Sequence, residues 1–200
     1  MFVMTVDQRR SRRDIDRVGA VLDLLSGAIT VRRFERTAGD EIQGVLDRPA
    51  EVTRLIAELI RTGHWSVGVG TGPVDTPLPR TTRAGRGPAF EYAREAVDAA
   101  KRSRVPVAVR GPDGDPCHHA QTAARLLGDL VLGRSAPGAD AVDAMRAAPS
   151  QSEAAATLGI SPQAMSQRLR SARWDIDVDT RDLVTAMLAR TQPPGQEPTE

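Results

Sequence analysis

The sequence predicts an α/β (α+β) protein: a sheet domain of β-α-β-β-α-β order, the split-βαβ or ferredoxin-like arrangement, followed by a small all-α domain. Three observations carry this. Short apolar, strand-like runs alternate with helical patterns through the first half. A small Gly-bearing turn joins two of those runs as a hairpin, "FERTAGDEIQGVL", Phe34 to Leu46. Beyond "GRSAPGA", Gly133 to Ala139, which reads as a linker, the patterns are helical until Thr191.

The elements follow in order. Phe2 to Val6 is a short apolar strand. Asp14 to Gly27 reads as a helix, because Ile15, Val18, Leu22 and Leu25 recur at helical spacing. Thr30 to Thr37 and Glu41 to Leu46 are the hairpin strands. Pro49 starts a second helix, where a missing N–H costs nothing, with Val52, Leu55, Ile56, Leu59 and Ile60 as its buried stripe. "HWSVGVGTG", His64 to Gly72, alternates as a strand and runs into glycines. Pro73 to Gly87 is a long loop rich in Pro, Gly and Arg, of the kind that is often functional or mobile. A helix through "PAFEYAREAVDAAKRSR" places Phe90, Ala93, Val97 and Ala100 on one face. Val105 to Val109 is another strand, and a helix follows from about Cys117 to Leu132. The expected organisation is a sheet domain over 1–132, a helical domain over 139–191, and a polar, Pro-rich, disordered tail over 192–200.

The 200 residues carry a formal net charge of only +1, so charge must be read locally. A single cysteine, Cys117, excludes an intramolecular disulfide and fits a reducing compartment. No apolar run approaches the length of a membrane span. The charges of "MFVMTVDQRRSRR" follow the apolar stretch, the reverse of a secretory signal, and a cytoplasmic protein is expected.

In a split-βαβ sheet the first strand lies antiparallel to the third, so the end of one sits beside the start of the other. That brings Asp7 to the same sheet edge as Asp40 and Glu41. Unpaired carboxylates so placed would raise one another's pKa values, and a hard divalent cation with phosphate oxygens would relieve the repulsion. "QRRSRR" follows at once, setting Arg9, Arg10, Arg12 and Arg13 at the start of the first helix, where anions are favoured. Carboxylates for metal beside arginines for phosphate suit a nucleotide with Mg²⁺ or Mn²⁺. The plain alternative is a solvated hairpin tip and a solvated helix start; the spacing excludes neither.

"DQRRSRR", "TAGDEIQGVL", "GVGTG" and "GPAFEYAREA" together resemble the SatD family of bacterial proteins, over roughly residues 2 to 110. The hairpin and the strand that follows the next helix are also similar to the palm of nucleotidyl and GGDEF diguanylate cyclases. Ala38 stands where GGDEF has its first Gly, and Ile42 at its aromatic position. The resemblance implies a nucleotide- or metal-binding palm with Asp7 and Asp40 as metal-binding acids. Aligned on the Asn and Arg that assist chemistry in class III cyclases, Glu91 takes the place of the Asn and Arg94 falls one residue, about 100° of helix, out of register.

"SQSEAAATLGISPQAMSQRLRSARW", Ser150 to Trp174, reads as a helix-turn-helix. Ser150 caps a first helix to about Leu158, the chain turns at Gly159, and Ser161 caps a second helix with Pro162 at its first position. Ala155, Leu158, Ile160, Met165 and Leu169 supply its core. The outer face offers Ser161, Gln163, Ser166, Gln167, Arg168 and Arg170 as DNA contacts, because Gln and Arg can read base edges and Ser and Arg grip phosphates. The stretch resembles the helix-turn-helix of bacterial regulators, including the fourth region of sigma factors. The plain alternative is an αα-hairpin in an interaction domain. Thr180 to Arg190 is a final helix with Leu183, Val184, Met187 and Leu188 on one side, a core or dimer stripe.

"CHH", Cys117 to His119, is not a zinc site: its ligands are adjacent, and no second Cys/His cluster exists. "GVGTGPV" lacks the Lys of a Walker loop, so its glycines serve a turn and close packing. The preferred reading is a transcriptional regulator binding double-stranded DNA, expected as a homodimer, with a catalytically degenerate, nucleotide-sensing palm. The alternative is an enzyme making a cyclic or dinucleotide from a nucleoside triphosphate.

Overall fold

The computed structural model describes residues 1–192, with Arg12 described by its backbone alone; the tail read as disordered lies outside the described residues, Gln192 excepted. The chain forms a mixed α/β structure with one five-stranded mixed sheet and, among the described residues, eight α-helices. The strands are β1 (Phe2–Gln8), β2 (Arg32–Ala38), β3 (Glu41–Leu46), β4 (Trp65–Thr71) and β5 (Val107–Arg110). The helices are α1 (Val18–Leu24), α2 (Pro49–Arg61), α3 (Pro88–Lys101), α4 (Gly114–Leu132), α5 (Ala136–Ala147), α6 (Gln151–Thr157), α7 (Pro162–Ser171) and α8 (Trp174–Ala189). The first six of these elements run β-α-β-β-α-β, as the sequence predicts.

The strand order is β2-β3-β1-β4-β5. β1 is central and antiparallel to both β3 and β4, while β4 and β5 are parallel. β2 is an edge strand, with only Phe34 buried. The long loop after β4 covers that edge: Arg32 donates to the carbonyls of Leu78 and Pro79, and the Thr82 hydroxyl donates to the Arg33 carbonyl at 2.7 Å. Capping an exposed edge is a standard defence against strand addition.

One face of the sheet packs on α2 and α4, around Phe2, Met4, Ile42, Leu55, Ile56 and Leu127. The other face packs on α3, through Ala89, Phe90 and Ala93. Gly68 and Gly70 of β4 let α3 lie almost on the strand backbone. A Cβ at Gly70 would stand 2.1 Å from the Ala89 carbonyl oxygen, and one at Gly68 2.3 Å from the Val97 nitrogen. The glycine alternation of "GVGTG" therefore serves helix-to-sheet approach.

Three expectations are corrected. The first helix begins at Val18, not Asp14, and Ile15 is 70 % exposed. Asp14 and Asp16 side chains accept from the N–H groups of Ile15 and Val18, and such local bonds compete with helix. The Gln8 amide holds the bend, donating to the Ile15 carbonyl and accepting from Arg17 N–H. Second, most of the expected linker is helix, because Ser135 caps α5 from its first turn; the break is confined to Gly133–Ser135. Third, the last helix starts at Trp174, six residues early, and leaves the small helical cluster to pack on α2 and α4. Val184 and Leu188 are fully buried in the main core, Met187 packs against it, and Leu183 is exposed. Thr185 bonds Thr53 at 2.9 Å, and Thr191 bonds Thr71 of β4 at 3.0 Å.

The small cluster contains Ala141, Val142, Ala154, Ala155, Met165 and Leu169, with Leu158, Ile160 and Trp174 at its margin. It joins α5, α6 and α7. Ser150 and Ser161 cap α6 and α7 as the sequence predicts, and Gly159 turns between them with φ +63°. Among the described residues no helix is long and apolar enough to cross a membrane.

Candidate functional site

The strand pairing places the predicted acids together. Asp7 stands opposite Glu41 in β3 and Ser66 in β4. Gly39, at φ +57°, turns the hairpin, so Asp40 sits just outside the β1 end, its carbonyl accepting from Gln8 N–H at 3.3 Å. A cleft of about 690 Å³ opens at this edge, and Asp7, Asp40, Arg9, Arg10, Arg13, Ser66 and Lys101 line it. Four cations thus face two carboxylates.

Each side chain is held differently. Arg9 continues the β1 edge, its N–H donating to the His64 carbonyl at 2.7 Å. Arg10 adopts the left-handed conformation, φ 59° and ψ 27°, at a cost of about 1–2 kcal/mol for a residue with a Cβ. Such outliers concentrate at functional positions. It leads into a one-turn 3-10 helix over Ser11–Arg13, so Arg9 and Arg10 precede a tight turn and Arg12 and Arg13 lie within it, and none of them starts the α-helix that the sequence suggests. The side chain of Arg12 lies outside the described part. Glu41 does not line the cleft: its carboxylate accepts from the Thr37 hydroxyl at 2.5 Å.

Lys101 and Ser66 were not singled out by the sequence reading. Lys101 ends α3 and places its ammonium 2.8 Å from Asp7 Oδ2. Its signal was topological. β4 runs against β1, and α3 returns against β4, so the end of α3 must reach the end of β1. Ser66 is a buried hydroxyl in the cleft wall with no hydrogen-bond partner among the described residues. An unsatisfied buried hydroxyl is costly and asks for a partner.

Burial pushes the Asp7 carboxyl above its usual range; Lys101 offsets part of this, and Asp40 and Glu41 add to it. Burial opposes the Lys101 charge, but the bond to Asp7, with help from Asp98, holds its pKa above the usual value. Among the described residues no group of three or more His, Cys, Asp or Glu side chains is placed to hold a metal ion. Cys117 is buried, which pushes its thiol up to about 11.

The second set of predicted residues lies on α7. Met165 and Leu169 are buried in the small cluster, and the opposite face is free. Ser161, Gln163, Gln167 and Arg170 are exposed, and Arg168 is half-buried. Ser161 also caps the helix, accepting from Ala164 N–H at 3.2 Å. Ser166 is drawn inward, taking a 2.7 Å bond from the Gln151 amide of α6. Its hydroxyl braces the two helices.

Comparisons of the chain with models of known protein families, with curated proteins and with solved structures found no match.

Proposed function

We propose that the chain is a DNA-binding transcriptional regulator: α6 and α7 form a helix-turn-helix, and the sheet domain is a SatD-like, cyclase-type palm that binds a nucleotide without turning it over. The observation that carries the DNA reading is the outer face of α7. Gln163, Gln167 and Arg170 are exposed while Met165 and Leu169 anchor the helix from behind. In a helix-turn-helix the second helix lies in the major groove with its N-terminal residues at base edges. Gln163 and Gln167 have the donor-acceptor geometry for adenine, and Arg170 for guanine or phosphate. Two copies would read paired half-sites.

The cleft supports a phosphate-bearing ligand. Arg9, Arg10, Arg13 and Lys101 supply the positive charge, and Ser66 a spare hydroxyl. Two carboxylates with phosphate oxygens and water suit Mg²⁺ or Mn²⁺, so Asp7 and Asp40 would hold the ion. Lys101 already occupies Asp7 Oδ2 at 2.8 Å, so a cation there must displace it, which weighs against metal-dependent turnover.

The test is selection of bound duplexes from random DNA, then titration of the selected duplex with Arg170→Ala. Binding should weaken, and if Arg170 contacts phosphate the slope of log K against log salt should fall by about 1. No enriched duplex, or an affinity and slope that Arg170→Ala leaves unchanged, removes this face as the reader.

A further inference from the structure

A second concentration of charge lies between the sheet domain and the small helical cluster, away from the cleft and the outer face of α7. Asp177, in the first turn of α8, is 0 % exposed. Three guanidiniums converge on it. Arg134, from the break between α4 and α5, donates to Oδ1 at 2.5 Å, and its side chain is only 5 % exposed. Arg146 of α5 and Arg181 of α8 share Oδ2, Arg181 at 2.9 Å. One carboxylate balances one guanidinium, which leaves two positive charges in partly buried surroundings, where repulsion is weakly screened.

These three arginines form one wall of a cavity of about 290 Å³, and Arg54 and Arg61 of α2 form the other. Glu58 and Asp143 also line it, already paired with Arg54 and Arg61 at 2.7 and 3.0 Å. Glu51 holds Arg54 from behind. Five arginines thus face four carboxylates: Arg54 and Arg61 are outnumbered by Glu51, Glu58 and Asp143, the three around Asp177 outnumber it by two, and the net surplus of one positive charge lies around Asp177. Among the described residues, Arg181 donates through Nε and Arg146 through one Nη, so each has N–H groups left for another acceptor.

Guanidiniums with spare donors and unmatched charge are the preferred partners of phosphate oxygens. We propose that this cavity binds a small phosphate-bearing anion, held between α2 on one side and α5 and α8 on the other. Its volume is near the lower limit of small-ligand cavities, roughly 300–1,000 Å³, which suits inorganic phosphate or a phosphoryl group with little attached. Arg134 donates also to the carbonyl of Ala172, the residue that ends α7. The anion therefore braces α7 against the sheet domain. The site is independent of what the cleft or α7 binds.

Trp174 supplies the readout, because Arg146 Cζ lies 5.1 Å from its ring centroid. The chain has one other tryptophan, Trp65, which a Trp65→Phe change removes from the signal. The full chain with that change is titrated with sodium phosphate against sodium chloride at constant ionic strength, following Trp174 emission. A saturable change specific to phosphate is expected. Arg61→Gln, at the exposed rim, and Arg146→Lys should each weaken it roughly tenfold or more, as loss of a charge-assisted hydrogen bond does. Circular dichroism checks that both fold; should Arg146→Lys not fold, Arg61→Gln decides. No saturable change, or the same midpoint in Arg61→Gln, overturns the proposal.

Discussion

Replacing Asp177 with Ala tests how α8 is held to α5 and to the turn that precedes α5. The carboxylate is fully buried, and its loss leaves three guanidiniums facing one another, with Arg134 almost wholly excluded from water. Removing one partner of a buried ion pair costs about 3–5 kcal/mol. Three charge-assisted bonds taken singly would suggest more, about 1.5–3 kcal/mol each. Arg146, though, is partly exposed and Arg181 borders a cavity, so both can rehydrate. The lower range is therefore expected, a fall of roughly 6–20 °C in Tm for a chain of this size. The pH dependence has a definite sign. Burial opposes ionisation of Asp177, but the bond from Arg134 and the charge of Arg181 hold its pKa below the usual range. A carboxylate depressed in this way contributes its full stability above its unfolded pKa, about 3.9, and loses it as pH falls through the folded value. Urea unfolding of wild type and Asp177→Ala should differ by that amount near neutrality and converge below about pH 4. A difference under about 1 kcal/mol at neutral pH, or one that does not shrink in acid, would refute the buried-pair account.

Three further outcomes follow from particular contacts. Gly70→Ala drives a Cβ into the α3 backbone, so it should cost about 1–3 kcal/mol or more by urea unfolding; a neutral variant would mean that α3 is not seated on β4. Asp7→Asn should stay within about 1 kcal/mol of wild type at neutral pH. The raised folded pKa of Asp7 means that wild-type stability falls as pH rises from the unfolded towards the folded value. The variant should lack that fall, and a loss of several kcal/mol would contradict it. Cys117, with its thiol pushed up to about 11, should resist iodoacetamide in the folded chain and react once urea unfolds it; rapid labelling of folded protein would show that the thiol is not buried.

What could be read in the sequence was local in origin. The hairpin, the stripes of α2 and α3, and the serine caps of α6 and α7 each rest on residues a few positions apart, and they stand where periodicity and turn chemistry put them. That Asp7 shares a sheet edge with Asp40 and Glu41 was also legible, because strand order converts a local hairpin into a long-range neighbour. The start of α1 was not, because Gln8, Asp14 and Asp16 settle it by side-chain bonds to backbone that leave no periodic trace. Lys101 lay within reach of topology but resembled any basic residue at a helix end. Of the Asp177 cluster, only the i,i+4 pair with Arg181 is visible in sequence. Arg134 and Arg146 arrive from separate segments.

The break at Gly133–Ser135 separates two patterns of sequence without separating two bodies. α8 begins next to α7, turned by Arg173 at φ 54°, and just past its end Thr191 bonds Thr71 at the far end of β4. Along the way it buries Val184 and Leu188 in the same core as Phe2 and Leu55. Cutting the chain at that break would strip the sheet domain of α8, which covers α2 and α4, while Asp177, Arg146 and Arg181 would stay with α5, α6 and α7. β4 also carries Ser66 at its opposite end, in the wall of the cleft. One strand and one helix therefore connect the cleft to the C-terminal end of α7 through packed, hydrogen-bonded elements and not through a flexible tether. Coupling between two sites needs a contiguous arrangement of this kind together with an element that has two states. The structure supplies the first, and the charge-crowded junction around Asp177 lies on that path, at the start of α8.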